Sequence, residues 1–184
     1  MGVVKEKFIL GLDPGTSVMG YAIIRTTGNH KQDLIQYGVI HLKKYSSHEL
    51  KLKKIFERVL ALIDEFNPDE VALEAPFYGK NVQSMLKLGR AQGVSMAAAL
   101  FRGIPIFEYA PKKVKQSVTG NGNASKEQVA EMMKRIFNIK EEPKLLDATD
   151  ALAASICHHF QGSREKSKAS SWSSFIAQNP DRIS

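Results

Sequence analysis

An α/β fold, with five short strands interleaved with helices, is the class that three features of this 184-residue sequence predict. The first is Phe8 to Ile24, FILGLDPGTSVMGYAII, in which two apolar runs flank a glycine-rich turn. The second is a run from His48 to Phe66 whose apolar residues recur every three or four positions, as one face of a helix requires. The third is the alternation that follows, where brief apolar runs, each bounded by turn residues, give way to longer helical ones.

Phe8 to Leu12 reads as a strand buried on both faces, and Gly20 to Ile24 as its return after Pro14 and Gly15 interrupt pairing. The polar turn Thr26 to Lys31 leads into a third strand, Leu34 to Leu42, and such short connections favour an antiparallel meander. The amphipathic helix from His48 buries Leu52, Ile55, Phe56, Val59, Leu62, Ile63 and Phe66, with Lys51, Lys53, Lys54 and Glu57 in water. Asn67-Pro68-Asp69 ends it. Glu70 to Pro76 then reads as a buried strand with Glu74 at its carboxyl end, before Phe77-Tyr78-Gly79-Lys80-Asn81, which mixes aromatics with a cation.

Val82 to Phe101 is helical and rich in small residues: Gly89, Ala91, Gly93, Ser95, Ala97, Ala98 and Ala99. Small side chains permit close approach, either to the sheet or to a second copy of the helix. Gly103 fits a C′ cap, and Ile104 to Tyr109 reads as the fifth strand. Pro111 opens a short helix carrying Lys112, Lys113 and Lys115; Ser125-Lys126-Glu127-Gln128 is a capping box opening the next. An alanine-rich helix from Leu145 to His159 closes the domain. Residues 1–160 thus read as one domain, and residues 161–184, Ser-rich with Trp172 among few apolar residues, as a mobile tail.

Lysine and arginine outnumber acids 26 to 19, a formal charge of +7 that suits an anionic partner such as nucleic acid. Lysines at helix starts and glycine loops suit phosphate contacts, although a solvated basic face accounts equally well for any one of them. The single cysteine, Cys157, has no internal disulfide partner, which fits a reducing compartment. No secretory signal, long apolar run or lipidation motif is present in the sequence, so a cytoplasmic location is expected. The five histidines lack metal-ligand spacing and receive no role.

Four acids sit in apolar company: Asp13 after the first strand, Glu74 ending the fourth, and Asp147 with Asp150 on the last helix. Each has an ordinary alternative when taken alone. Asp13 fits a turn residue before Pro-Gly, Glu74 a partner for Lys80, and Asp147 a helix N-terminal charge. Asp150, flanked by Ala148, Ala151, Leu152, Ala153 and Ala154, is the hardest to dismiss. A right-handed crossover would make strands one and four neighbours. Gathered together the acids would repel, so the arrangement expects hard divalent cations, and oxygen-only ligands favour magnesium or manganese over zinc. Two ions about 3.5–4 Å apart suit an in-line phosphodiester displacement.

At these residues the chain resembles the RuvC family of Holliday junction resolvases. The likeness runs through GLDPGT (Gly11 to Thr16), Gly20-Tyr21, Ala72-Leu73-Glu74, KLGRAQG (Lys87 to Gly93), FEYAPKKVKQ (Phe107 to Gln116) and DATDALA (Asp147 to Ala153). It implies a ribonuclease-H-like fold, a five-stranded mixed sheet flanked by helices, with Asp13, Glu74, Asp147 and Asp150 as catalytic, magnesium-binding acids, two ions per subunit when DNA is bound. It also implies a homodimer, joined partly through Val82 to Phe101, that nicks opposing strands of a four-way DNA junction at a short TT-containing sequence, leaving 5′-phosphate and 3′-hydroxyl ends. RuvA and RuvB are the implied partners. Phe77 corresponds to an aromatic stacking on a junction base, Lys115 and Lys126 to lysines near the scissile backbone, and Tyr78, Lys80, Lys112 and Lys113 join them as candidate DNA contacts. Asp147 is a histidine in some relatives. The rival classes are a junction-binding protein without activity, a general ribonuclease H, and an actin-like ATPase; the last uses a similar Asp-x-Gly-Thr turn but needs a second lobe that 184 residues are too short to supply.

Overall fold

The computed structural model describes residues 6–28, 31–75, 81–140 and 146–168. Five strands form one mixed sheet: β1 (Glu6–Asp13), β2 (Val18–Thr27), β3 (Lys31–His41), β4 (Glu70–Glu74) and β5 (Ile106–Tyr109). Their order is β3-β2-β1-β4-β5. β1, β2 and β3 are the expected antiparallel meander, whereas β4 runs parallel to β1, and β5 parallel to β4. The crossover to β4 is α1 (His48–Phe66), capped by the Ser47 side chain, which accepts from Leu50 N–H. α2 (Val82–Phe101), α3 (Pro111–Thr119), α4 (Lys126–Phe137) and α5 (Leu146–Lys168) complete the chain in order.

Strand alternation splits the sheet's side chains between two cores. Leu10, Leu12, Tyr21, Ile23, Val71 and Leu73 point toward α1 and α2, while Ile9, Ala22, Ile24 and Ala72 meet α3, α4 and α5. α5 lies across β1, β2 and β4, and this central position explains its composition: Ala148, Ala151, Leu152, Ala153, Ala154, Ile156 and Cys157 are all buried. Among the described residues, no helix is long and apolar enough to cross a membrane.

Several details settle choices the sequence leaves open. Ala91, Ser95, Ala98 and Ala99 of α2 are buried in the core, so sheet-side packing accounts for these small residues. Gly89 and Gly93 face open space instead. Gly103 has φ of 69° and donates to Leu100 O at 2.9 Å, closing α2 as expected. The Ser125–Gln128 capping box is formed in both directions. β5 starts at Ile106 rather than Ile104, because Pro105 has no N–H to give the ladder, although its carbonyl accepts from Val71 N–H at 2.9 Å. α5 continues past His159 to Lys168, since serines and lysines without proline can extend a helix already anchored by its buried half. Trp172 and the rest of the Ser-rich segment from residue 169 lie outside the described residues.

Candidate active site

Asp13 ends β1 and Glu74 ends β4, and the parallel register that aligns Leu12 with Leu73 sets the two acids side by side at the carboxyl edge of the sheet. Adjacent parallel strands place functional groups at this edge. α5 brings the other two. Its approach is close because the sheet beneath it lacks side chains at two points: a Cβ on Gly11 would lie 2.1 Å from the Ala151 carbonyl oxygen, and one on Gly20 would lie 1.8 Å from that of Asp147. Gly20 is also the residue paired with Asp13 across β1 and β2. The glycines in the two turn-flanking strands therefore serve helix clearance as well as turn geometry.

The result is a compact acidic group. One carboxylate oxygen from each of Asp13, Asp147 and Asp150 lies within 4.8 Å of the others, close enough to share a cation. Glu74 stands outside that group, yet its charge is felt there: burial first, then Glu74 and Asp150, push the Asp13 carboxyl well above its ordinary pKa. Glu74 itself is raised from 4.5 to about 7, by burial and then by Asp150, with Lys126 and Lys115 opposing. Burial likewise raises Asp150, against its hydrogen bond to Lys126.

Lys126, at the first position of α4, supplies positive charge. Its Nζ lies 2.5 Å from Asp150 and 3.5 Å from Asp147; the Glu74–Lys80 pairing considered from sequence falls outside the described residues, since Lys80 does. Burial alone would lower the ammonium's pKa, but Asp150, Asp13 and Asp147 outweigh it and raise it. One lysine does not neutralise four carboxylates, and the donor set offers only hard oxygen. These residues therefore fit magnesium or manganese.

Of the other expected DNA contacts, Lys112 and Lys113 are exposed on α3, and Lys115 is half-buried, turned so that its charge reaches Glu74 and Asp150. Phe77, Tyr78 and Lys80 lie outside the described residues. The sequence reading missed one histidine. His158 is buried, with Nδ1 2.6 Å from the Tyr109 hydroxyl and Nε2 against Glu70. Its signal was its position on the buried, alanine-rich face of α5 rather than any ligand spacing.

A mixed sheet in this order, with acids at the ends of its two central strands and on the helix that crosses them, defines a ribonuclease-H-like protein with an acidic, cation-suited centre. The family model described as crossover junction endodeoxyribonuclease RuvC matches residues 9–158, and the chain belongs to that family. It is 61% identical to the crossover junction endodeoxyribonuclease RuvC of Cytophaga hutchinsonii, over 97% of this chain and 88% of that one. Identity to the protein of the same name from Bacteroides fragilis is 56%, over 98% and 97%. Among solved structures, T. thermophilus RuvC in complex with Holliday junction substrate superposes with a TM-score of 0.80 at 31% identity, covering 86% of this chain and 96% of that one. The yeast mitochondrial Holliday junction resolvase shares the fold, with a TM-score of 0.64 at 15% identity over 92% of this chain and 83% of that one.

Proposed function

We propose that this protein resolves Holliday junctions, nicking two opposing strands of a four-way DNA junction symmetrically to leave 5′-phosphate and 3′-hydroxyl ends. The observation that carries this reading is the convergence of Asp13, Asp147 and Asp150 within 4.8 Å, beside Glu74, in a protein of net charge +7. Asp13, Glu74, Asp147 and Asp150 would hold magnesium, two ions per protomer with DNA bound and manganese as a substitute. When bound, such cations supply the Lewis acidity that an in-line phosphodiester displacement needs. The chain contributes the rest. Buried carboxylates with raised pKa values favour cation capture over solvation, and the rigid sheet edge fixes where the scissile phosphate must sit.

Lys115, whose charge reaches Glu74 and Asp150, and the exposed Lys112 and Lys113 of the same helix are assigned to the DNA backbone, together with Lys126. Phe77 is assigned to base stacking, with Tyr78 and Lys80 beside it. Symmetric cutting requires two copies. The outer face of α2 presents Val82, Leu86, Gly89, Gly93, Ala97 and Leu100 at three- and four-residue intervals, all exposed, and supports a helix-to-helix homodimer contact. RuvA and RuvB are assigned as partners, and the cytoplasm as the site of action, on the likeness to the family.

The deciding experiment offers a synthetic four-way junction with magnesium. Paired nicks at opposed positions are expected, and equal cutting of plain duplex or of an RNA–DNA hybrid overturns the assignment.

A further inference from the structure

We infer that His158, held by Glu70, is a positioning residue that sets the register of α5 along β4 and so places Asp147 and Asp150 at the acidic centre. The inference rests on the four-acid site proposed above.

β4 carries an acid at each end, Glu70 at its start and Glu74 at its close. α5 meets both. Its Asp150 joins the acidic group with Asp13, whose strand lies beside β4 with Leu12 aligned on Leu73, while His158 Nε2 hydrogen-bonds Glu70 Oε2. The lengths agree: four strand residues span about 13 Å, and the eight helix residues from Asp150 to His158 span about 12 Å. The tie to Glu70 therefore fixes the helix one strand length from the acids it carries.

A directional tie adds what apolar packing alone does not give. The buried face of α5 combines Ala148, Ala151, Ala153 and Ala154, packed close over Gly11 and Gly20, with the larger Leu152 and Ile156. Such contacts hold the helix against the sheet without direction, whereas a hydrogen bond is satisfied in one register alone. Burying a histidine against a glutamate adds little net stability over an apolar pair, yet it specifies one geometry.

The surroundings hold His158 itself in place. Its ring stacks on Phe107 with centroids 4.4 Å apart, and Nδ1 meets the Tyr109 hydroxyl at 2.6 Å. A neutral ring satisfies both contacts, with Nε2–H donating to Glu70 and Nδ1 accepting from Tyr109. Lys7 of β1 pairs with the same Glu70 oxygen. Tyr109 is registered opposite Glu74, and its carbonyl accepts from Ala75 N–H at 2.9 Å, so the network ends on the backbone beside the fourth acid.

The test compares full-length His158→Ala, Glu70→Leu, the double variant and His158→Gln with the parent. Three quantities are read: the rise in Tm produced by Mn²⁺ alone, the magnesium concentration for half-maximal junction cutting, and junction affinity without divalent metal. His158→Ala and Glu70→Leu, which removes the acceptor, should each shrink the Mn²⁺-induced rise and increase the magnesium requirement about tenfold, with junction affinity unchanged. The double variant should be no worse than either single one, and His158→Gln, which keeps a donor toward Glu70, should recover part of the loss. Lowered Tm with a parental magnesium requirement and Mn²⁺ response would overturn the inference, leaving the pair only stabilising. Should His158→Ala fail to fold, Glu70→Leu and Tyr109→Phe decide by the same criteria. Asp13→Asn separates the two levels: an undiminished Mn²⁺ response and cutting in that variant refute the acidic site itself, whereas their loss there beside a parental His158→Ala refutes only the positioning role.

Discussion

The α-carbon of Gly20 lies so close under the Asp147 carbonyl oxygen that a Cβ at this position would come within 1.8 Å of it. The obstructing atom is backbone, which cannot rotate away. Gly20→Ala is therefore expected to push α5 off the sheet, with an overpacking cost of about 1–3 kcal/mol or more. The first two turns of α5 carry Asp147 and then Asp150, so junction cutting should fall by orders of magnitude. Thermal melting and a junction cleavage assay on the same preparation check both; parental values would show that the helix yields without moving its acids.

Asp13→Asn should abolish cutting while leaving junction binding largely intact, because the lysines of α3 are untouched. It should also raise the Tm of the metal-free protein. Burial first, and then Glu74 and Asp150, push the Asp13 carboxyl up, and an uncharged isostere escapes both penalties. Retained cleavage would remove Asp13 from the chemistry.

The pH dependence of metal-free stability carries a sign opposite to that of a salt-bridged carboxylate. Glu74 titrates near 4.5 when unfolded and at about 7 in the folded chain, so the folded state binds the proton more tightly. Its contribution is fully present below pH 4.5 and is lost as pH rises through 7, with an upper limit on the order of 3 kcal/mol. Saturating magnesium should flatten the upper part of this curve by stabilising the ionised form. Melting curves from pH 5 to 8, with and without magnesium, measure it.

Much of this site could be read from the chain before any coordinates, and for a definite reason. Asp13, Glu74 and Asp150 each interrupt an apolar run, and burial of a charge is an anomaly that a single sequence displays. The clearance role of Gly11 and Gly20 was hidden because glycines in strands that flank the Pro14-Gly15 turn already have a local explanation, while the atoms that need the space belong to Ala151 and Asp147, far along the chain. His158 escaped for the same reason: its partners come from β4 and β5, and only strand pairing puts Glu70 and Tyr109 around one ring. Lys126 as the partner of Asp150 and Asp147 was likewise invisible, since the capping box explains the start of α4 without reference to another helix.

Lys115→Ala tests the DNA face. Removing one phosphate contact should weaken junction binding and make the slope of log affinity against log salt shallower by about one. Titrations at several salt concentrations give the slope directly, and an unchanged value would take Lys115 out of the interface.

Leu86→Glu addresses the outer face of α2, where Leu86 is 57% exposed in the isolated chain. A charge there should leave the fold intact but yield monomers by light scattering, and paired nicking should be lost. A dimer that still cuts in pairs would place the contact elsewhere.

The central position of α5 orders events during synthesis. Two of the four acids leave the ribosome only after all five strands and α1 to α4 have been made, and until then one face of the sheet, with Ile9, Ala22, Ile24 and Ala72, has no α5 to cover it. A nascent chain therefore cannot assemble the cluster of Asp13, Asp147 and Asp150 until its last helix docks, so the cutting proposed for that cluster waits on the end of folding.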